Sequence, residues 1–352
     1  MVSERIDTER MFQHYLTSEL EEVLGSEQSQ CISDMKIQIM ERYHRLRGTG
    51  ISAADAIIHA IEAAETHIVD LLPERKKEDK GVAIDVHSHT KLTRQKPFNE
   101  RDLSLSIIVA QKRGIDGFLL TEHLDSPDYE LSLQRIESAR RKGTIPEDFL
   151  VFSCAEVRIQ EGNGDILLIA TPEQILLLNR YFHEQNADRG LITQGYYPRF
   201  LEFFEALGTI EGQTGSRTAT LATHIFRKQQ MLCDYKTLKD TQGVDLRMVD
   251  GIDSSAKELP TLERAKEKAL QIGKPVCSSS DGHSPIEKGN LYTVFPEETR
   301  TLQDIVNALK SKNVSLPQSV LNNSFDFNGA MAVAGYARTQ KNIIKAIGNY
   351  TD

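Results

Sequence analysis

From residue 81 onward the sequence alternates short apolar stretches with longer amphipathic ones, and this alternation constrains the fold more than any other feature. The apolar stretches have the length of strands, and the segments between them show helical periodicity. Strand and helix in alternation indicate an α/β protein with a parallel sheet, and this many repeats favour a closed or nearly closed barrel. The predicted strands are 82–87, 117–122, 149–157, 165–170, 218–224, 248–253, 275–280 and 291–295. The predicted helices are 101–113, 130–142, 172–186, 197–207, 260–272 and 301–311.

The amino-terminal part of the chain has a different texture, because it shows helical periodicity and lacks strand patterning. Its predicted helices are 11–24, 33–47 and 52–72, followed by a charged linker at 73–80. The predicted units of the whole chain are a helical domain or oligomerisation arm at 1–80, a barrel at 81–315 that includes a helical flap at 171–217, and a carboxyl-terminal extension packing on the barrel at 316–352.

Composition excludes several classes of function. No apolar run approaches the roughly 20 residues that cross a bilayer, and the first ten residues lack the apolar core of a secretory signal, so a cytoplasmic protein without a membrane partner is expected. The formal net charge of -9 argues against a protein that coats nucleic acid, because such binding depends on neutralising phosphates. The four cysteines have no Cys-x-x-Cys spacing, so neither a zinc ribbon nor a disulfide framework is indicated.

Polar residues with metal-binding side chains follow the predicted strands. The first strand runs into His87-Ser88-His89, and in extended backbone these two imidazoles leave the strand on the same side. Other predicted strands end at His123, Glu156, His224, Asp281 and His283. The carboxyl ends of the strands of a parallel barrel share one face, where barrel enzymes keep their active sites. Five of the ten histidines therefore converge with two carboxylates on one predicted edge.

This set of ligands has a defined chemistry. Histidine and carboxylate without thiolate suit manganese, zinc or iron. There are more ligands than one ion uses, which indicates a cluster of divalent ions. Such a cluster clamps an anionic oxygen, lowers the pKa of a bound water towards ~7 and stabilises an in-line displacement, so hydrolysis of a phosphate ester is the expected reaction.

The ordered motifs resemble those of the polymerase and histidinol phosphatase (PHP) superfamily over residues 81–315. They are Asp85-x-His87-x-His89, Thr121-Glu122-His123, Ala155-Glu156-Val157, Ala222-Thr223-His224 and Ser280-Asp281-Gly282-His283. The resemblance implies a distorted seven-stranded (β/α)7 TIM-like barrel with two or three divalent ions per chain.

The same resemblance implies which residues hold the ions. His87, His89, Glu156 and Asp281 would bind one ion, and Glu156 would bridge to a second ion held by His224 and a residue of the fourth strand. His123 and His283 would face a third ion. Two aspartates are expected behind the ligands: Asp85, which strand alternation would place on the side of His87, and Asp253, where the family usually has Glu.

Two positions depart from the family pattern. Asp165 stands where many members carry a histidine at the start of the fourth strand, and it is the predicted ligand there. Arg94 and Gln95 stand where members usually place a histidine or aspartate after the second histidine. The third site is therefore expected to be weak, empty or completed by water, and two tight ions are expected rather than three.

The sequence predicts a metal-dependent phosphoesterase acting on a small phosphomonoester or nucleotide. Hydroxide on the pair of ions bridged by Glu156 would attack phosphorus, with Glu156, Asp281 and His283 as catalytic residues. The predicted phosphate-binding residues are Arg94, Arg158 and Arg227. Two alternatives remain, a nuclease acting on nucleic-acid ends and a non-catalytic interaction module that keeps the barrel. The amino-terminal helices could also join copies of the chain into a homo-oligomer.

Overall fold

The computed structural model describes residues 29–322 apart from 73, 76, 78, 91–97, 127–128, 186–196 and 228–229. The predicted helix at 11–24, both Arg94 and Gln95, and most of the predicted carboxyl-terminal extension lie outside these residues. No helix among the described residues is long and apolar enough to cross a membrane.

The barrel consists of a single eight-stranded sheet within the described residues. The strands are β1 (Val82–Ser88), β2 (Gly117–His123), β3 (Leu150–Arg158), β4 (Asp165–Ile169), β5 (Ala219–Thr223), β6 (Gly251–Ser255), β7 (Val276–Ser279) and β8 (Thr293–Phe295). Their order in the sheet is β7-β6-β5-β4-β3-β2-β1-β8. Ser88 forms a parallel bridge with Gly282, and His89 N donates to Gly282 O at 2.9 Å, so the barrel closes between β1 and the segment that follows β7. The predicted α/β barrel is confirmed.

Strands β4 and β8 run against the direction of their neighbours, which corrects the prediction of a fully parallel barrel. Parallel neighbours need a crossover of a dozen or more residues, whereas β3 and β4 are joined only by residues 159–164. Because β4 is reversed, its first residue, Asp165, lies at the edge where the parallel strands end. Its register partners are Arg158 on β3 and Thr223 on β5.

The helices lie near their predicted positions, except that the helix predicted at 197–207 runs from Phe200 to Thr214 and the helix Gln318–Leu321 was not predicted. They are α1 (Ser29–Gly48), α2 (Ala53–Leu71), α3 (Glu100–Lys112), α4 (Tyr129–Arg141), α5 (Pro172–Gln185), α6 (Phe200–Thr214), α7 (Leu262–Ile272), α8 (Leu302–Lys310) and α9 (Gln318–Leu321). Ser52 caps α2 by accepting a hydrogen bond from Asp55 N. Lys112 of α3 donates to the carbonyls of Val69, Asp70 and Leu72, so the end of α2 is fixed on the barrel.

The long connection between β4 and β5 forms part of the barrel wall, which corrects the predicted flap. Apolar side chains of α5 and α6, including Ile175 and Phe203, share one buried cluster with outward-facing residues of β3, β4 and β5. Because β4 is reversed, it ends at the edge of the barrel where β5 begins. A connection with one helix would leave the chain at the opposite edge, whereas the two helices of this connection allow it to return to the edge where β5 begins.

The interior of the barrel is filled by a second apolar cluster. Its members come from seven of the eight strands, and α8 closes its lower end. Ile84 belongs to this interior cluster, whereas Ala83 packs with Phe118 in an outer cluster. The ladder between β1 and β2 then shifts between Asp85 and Ser88, as in a β-bulge. Asp85 lies on the outward side of the strand, like Ala83. The shift places His87, two residues later, on the interior side instead of the outward side that strict alternation would give it.

Candidate metal centre

The strand ends bring candidate ligands together in three overlapping groups. Within each group the ligand atoms all lie within 4.8 Å of one another. The groups are His87-His89-Glu156, His87-His224-Asp281 and His89-His123-His283. The first two groups are buried, and the third lies at the mouth of the barrel, where the side chains of His123 and His283 are 18% and 19% exposed.

The first group has the spacing of ligands around one ion. His87 Nε2 and His89 Nε2 are 3.2 Å apart, and His89 Nε2 is 3.5 Å from Glu156 Oε2. Asp281 Oδ1 lies 3.5 Å from His87 Nε2 and 3.7 Å from His89 Nε2. Ligand atoms placed tetrahedrally about 2 Å from a zinc ion are about 3.3 Å apart. The donor atoms present therefore fit a divalent ion.

Glu156 and Asp281 each face two groups. Glu156 directs Oε2 towards His89, while its Oε1 lies 3.9 Å from His224 Nε2. Asp281 directs Oδ1 towards His87 and His89, while its Oδ2 lies 3.6 Å from His224 Nε2. Each carboxylate can therefore give one oxygen to each of two neighbouring ions.

The third group consists of imidazoles. The His89 and His123 rings are stacked with centroids 4.8 Å apart, and the His89 and His283 centroids are 4.3 Å apart. His123 Nδ1 also lies 2.8 Å from Glu156 Oε2. His283 Nδ1 donates to the carbonyl of Asp281 at 3.1 Å. In neutral His283 this bond leaves Nε2 as the atom with a lone pair.

Asp253 lies directly behind His87. Its Oδ2 is 3.1 Å from His87 Nδ1 and accepts from the hydroxyls of Thr223 at 3.1 Å and Ser279 at 3.0 Å. With Nδ1 donating to this carboxylate, His87 Nε2 carries the lone pair that faces the first group. Such partners fix the tautomer and the ring orientation of metal-binding histidines.

Asp85 does not orient an imidazole, which corrects its predicted role. Its carboxylate accepts from the backbone and hydroxyl of Ser280, at 3.0 and 2.5 Å, and from Gly289 N at 3.0 Å. The bulge that follows Asp85 puts His87 on the opposite side of the strand, so strict alternation does not apply. Asp85 instead anchors the loop that carries Asp281 and His283.

The charges of the site favour a bound cation. Burial lowers the pKa of His87, but the carboxylates of Asp281, Asp253 and Glu156 outweigh burial and raise it well above its ordinary value. Burial and the imidazoles of His283 and His123 hold the pKa of His89 well below its ordinary value. Burial would raise the pKa of Glu156, but His123 and His87 hold it well below its usual range. A neutral imidazole and an ionised carboxylate are the forms that bind metal.

Two candidate ligands have unusual backbone conformations. His224 has φ of 55° and Asp281 has φ of 49°, in the left-handed region that residues other than glycine rarely adopt. Each such residue costs on the order of 1–3 kcal/mol and persists where the surrounding structure requires it. Both residues turn sharply at the end of a strand, which aims their side chains into the barrel mouth.

The carboxyl-terminal part of the barrel matches a known protein family. Residues 261–314 match the model of the PHP-associated family, PHP_C, and this segment contains α7, β7, the loop with Asp281 and His283, β8 and α8. The resemblance to the PHP superfamily is confirmed. No curated protein sequence matches the chain.

The solved structures that this chain resembles are distant in sequence. PsfC from Pseudomonas syringae PB-5123 is 17% identical, with a TM-score of 0.55 over 74% of this chain and 100% of its own, which supports the fold alone. A two-domain protein from Bacteroides vulgatus, described as containing a "predicted PHP-like metal-dependent phosphoesterase", is 16% identical, with a TM-score of 0.45 over 68% of this chain and 67% of its own. A Bifidobacterium adolescentis protein assigned as a metal-dependent phosphoesterase is 14% identical, with a TM-score of 0.38 over 67% of this chain and 98% of its own.

The structure pairs two predicted functional residues with each other. Arg158 Nε and Nη2 donate to the two oxygens of Asp165 at 2.8 and 3.0 Å, and Gln230 Nε2 donates to Asp165 Oδ2 at 2.9 Å. Asp165 belongs to none of the three ligand groups among the described residues. Because β3 and β4 are antiparallel, the two residues stand opposite each other and their charges meet. This pairing does not support Asp165 as a ligand of the candidate metal centre or Arg158 as a free phosphate-binding cation.

Arg227 lies at the mouth of the candidate metal centre. Its Nη2 is 3.3 Å from Asp281 Oδ2, its Nε is 3.5 Å from Glu258 Oε1, and its Nη1 donates to Gln230 Oε1 at 2.8 Å. The side chain is 37% exposed, so it can meet a substrate that enters the mouth.

Glu258 is a site residue that the sequence did not predict. It lies on the irregular 3-10 segment Ala256–Thr261 after β6, and its Oε1 is 2.9 Å from His224 Nδ1. No motif marks it, and only its position shortly after a strand end could have suggested a role.

Proposed function

We propose that this protein hydrolyses a phosphate ester, either a small phosphomonoester or a nucleotide, with two or more divalent ions. The observation that carries the proposal is the placement of Glu156 and Asp281, which each direct one oxygen to His89 or His87 and the other to His224. Paired divalent ions would polarise the phosphoryl group and lower the pKa of a bound water, which is the chemistry of many phosphoesterases.

The donor set limits which ions fit. All candidate ligands are imidazole nitrogens or carboxylate oxygens, which suit manganese, zinc or iron. His87, His89 and His224 are at most 1% exposed, so within the described part of the chain a substrate would approach from the side with His123, His283 and Arg227. Arg227 would bind a phosphate oxygen, because a guanidinium presents paired donors to such a group.

The charge of the mouth favours a small substrate over nucleic acid. Arg158 and Arg227 are each already paired with carboxylates, and the whole chain carries a net charge of -9. A nuclease would need a groove of unpaired basic residues that follows the phosphate backbone of the nucleic acid.

The test begins with elemental analysis of the purified full-length protein. Hydrolysis of phosphomonoesters, nucleotides, a phosphodiester and short oligonucleotides would then be measured with added Mn²⁺ and after chelation. Glu156→Gln should abolish activity, whereas Glu263→Gln, on the exposed face of α7, should not. Bound metal without hydrolysis of any of these substrates would favour an interaction module. Preference for oligonucleotides would favour a nuclease.

A further inference from the structure

We propose that Glu258 is a positioning residue that links the metal site to the phosphate site, by holding both His224 and Arg227. The inference rests on the proposed metal centre and adds a coupling between its two binding functions.

One carboxylate oxygen makes both contacts. Glu258 Oε1 lies 2.9 Å from His224 Nδ1 and 3.5 Å from Arg227 Nε. The residue is fixed by its short helix, where Thr261 Oγ1 donates to the carbonyl of Glu258 at 2.8 Å. Its side chain is 16% exposed, so water competes little for the carboxylate.

The contact with His224 determines which nitrogen can bind an ion. With Nδ1 donating to Glu258, Nε2 carries the lone pair and faces Asp281 Oδ2 and Glu156 Oε1. A carboxylate behind a ligating imidazole raises its basicity, and removal of such a partner typically costs 10–100-fold in metal affinity.

The contact with Arg227 matters because this guanidinium lies beside a candidate metal ligand. Arg227 Nη2 is 3.3 Å from Asp281 Oδ2, the oxygen that also faces His224. An ion bound there would compete with Arg227 for that oxygen and repel the guanidinium. Glu258 offsets this repulsion and holds Nε, so Arg227 stays at the mouth with Nη2 directed to an incoming phosphate oxygen.

The opposite side of the centre lacks this link and supplies a matched control. Asp253 stands behind His87 as Glu258 stands behind His224, but among the described residues its other hydrogen-bond donors are the hydroxyls of Thr223 and Ser279. Loss of Asp253 should therefore weaken metal binding without a separate effect on phosphate.

Metal affinity is the first measurement. Binding of Mn²⁺ to the full-length protein would be compared for the unmodified chain, Glu258→Ala, Glu258→Gln, His224→Ala and the double variant Glu258→Ala/His224→Ala. Glu258→Ala should weaken one equivalent by about 10–100-fold and leave the tightest equivalent unchanged. In the His224→Ala background it should cause no further loss, because the two residues act as one unit. An additive loss, or equal weakening of every equivalent, would indicate a merely structural role and overturn the inference.

Binding of inorganic phosphate at saturating Mn²⁺ is the second measurement. Glu258→Ala and Arg227→Ala should each raise the Kd several-fold, and their combination should match Arg227→Ala alone. Asp253→Asn should leave this Kd unchanged. Glu258→Gln keeps the side-chain volume and replaces Glu258→Ala in both measurements if the alanine variant does not fold.

The two proposals fail differently. A Glu258→Ala variant that binds Mn²⁺ and phosphate like the unmodified chain overturns only the role of Glu258. An unmodified chain that binds metal but hydrolyses nothing overturns the proposed activity alone. An unmodified chain that binds no divalent ion overturns both.

Discussion

The carboxylates of the site differ in what surrounds them, and this difference ranks their importance. Glu156 and Asp281 each face imidazoles on two sides, whereas both oxygens of Asp165 are engaged by Arg158. We expect Glu156→Gln and Asp281→Asn to reduce kcat/KM by several orders of magnitude, because each removes a charge that two ions would share. Asp165→Asn should reduce it far less and mainly lower the free energy of unfolding, by about 1–3 kcal/mol, through loss of the pair with Arg158. Equal losses of activity in all three variants would make Asp165 a full ligand.

The pKa values of the histidines predict how metal binding depends on pH. The pKa of His87 is raised well above its ordinary value and that of His224 is also raised, both against the effect of burial, by neighbouring carboxylates. A raised pKa means that each imidazole keeps its second proton to a higher pH than an ordinary histidine, and a bound metal ion must displace that proton. We expect Mn²⁺ affinity to increase as the pH rises above about 6.5 and metal binding to release protons. Calorimetry in buffers of different ionisation enthalpy measures this release, and no release would contradict the assignment of these ligands.

The sequence predicted which residues form the site more accurately than it predicted what those residues contact. His87, His123 and Glu156 could be placed at strand ends because apolar periodicity locates the end of a strand. The role of Asp85 could not be deduced, because a bulge changes the alternation and leaves no composition signal. Glu258 was missed since it reaches His224 from an irregular segment after β6, a contact that only the folded chain creates.

The reversed strand β4 is the element that most changes the geometry of the site. Its location was predictable from its apolar pattern, and its direction follows from the six residues that join it to β3, which are too few for a parallel crossover. The wall formed by α5 and α6 is a consequence of the same reversal. The sequence therefore predicted where the strands lie along the chain, but not that β4 runs against its neighbours.

The turn before β4 provides a test of this element. Gly162 has φ of 64°, and a Cβ there would collide with the carbonyl oxygen of Met231. Gly143 has φ of 75° but open space around it. We expect Gly143→Ala to lower the free energy of unfolding by about 1 kcal/mol and Gly162→Ala by about 2–4 kcal/mol, since the latter adds a clash to the strained conformation. Chemical denaturation of both variants checks this, and equal losses would mean that the turn yields easily.

At the scale of the whole molecule, the amino-terminal helix α2 packs on α3 and on the short segment Pro285–Glu287 that follows His283, but it contributes none of the candidate ligands among the described residues. The candidate ligands begin at His87, while α2 is fixed to α3 through Lys112. We expect deletion of residues 1–78 to reduce solubility and stability, because it uncovers α3, but to leave the metal content per folded chain unchanged. Elemental analysis of the soluble, monodisperse fraction measures this. Loss of all metal from a folded fragment would place ligands in the deleted region. If the fragment does not fold, the milder variant Lys112→Met replaces it. This variant removes only the hydrogen bonds between α3 and the end of α2 and should also leave the metal content unchanged.

The number of ions per chain follows from how charge is distributed over the three groups. Each of the first two groups includes a carboxylate, whereas the third consists of three imidazoles, which are neutral when they bind metal. His123 and His283 are also more exposed than the buried ligands, so water competes for the third ion. We therefore expect two ions to survive gel filtration and a third to bind only at higher metal concentration.

His123→Ala should remove this weak equivalent and leave the two tight ones. Arg94→His, which adds a ligand where the PHP pattern has one, should strengthen it. Three stoichiometric ions in the unmodified protein after gel filtration would show that charge does not limit the third site.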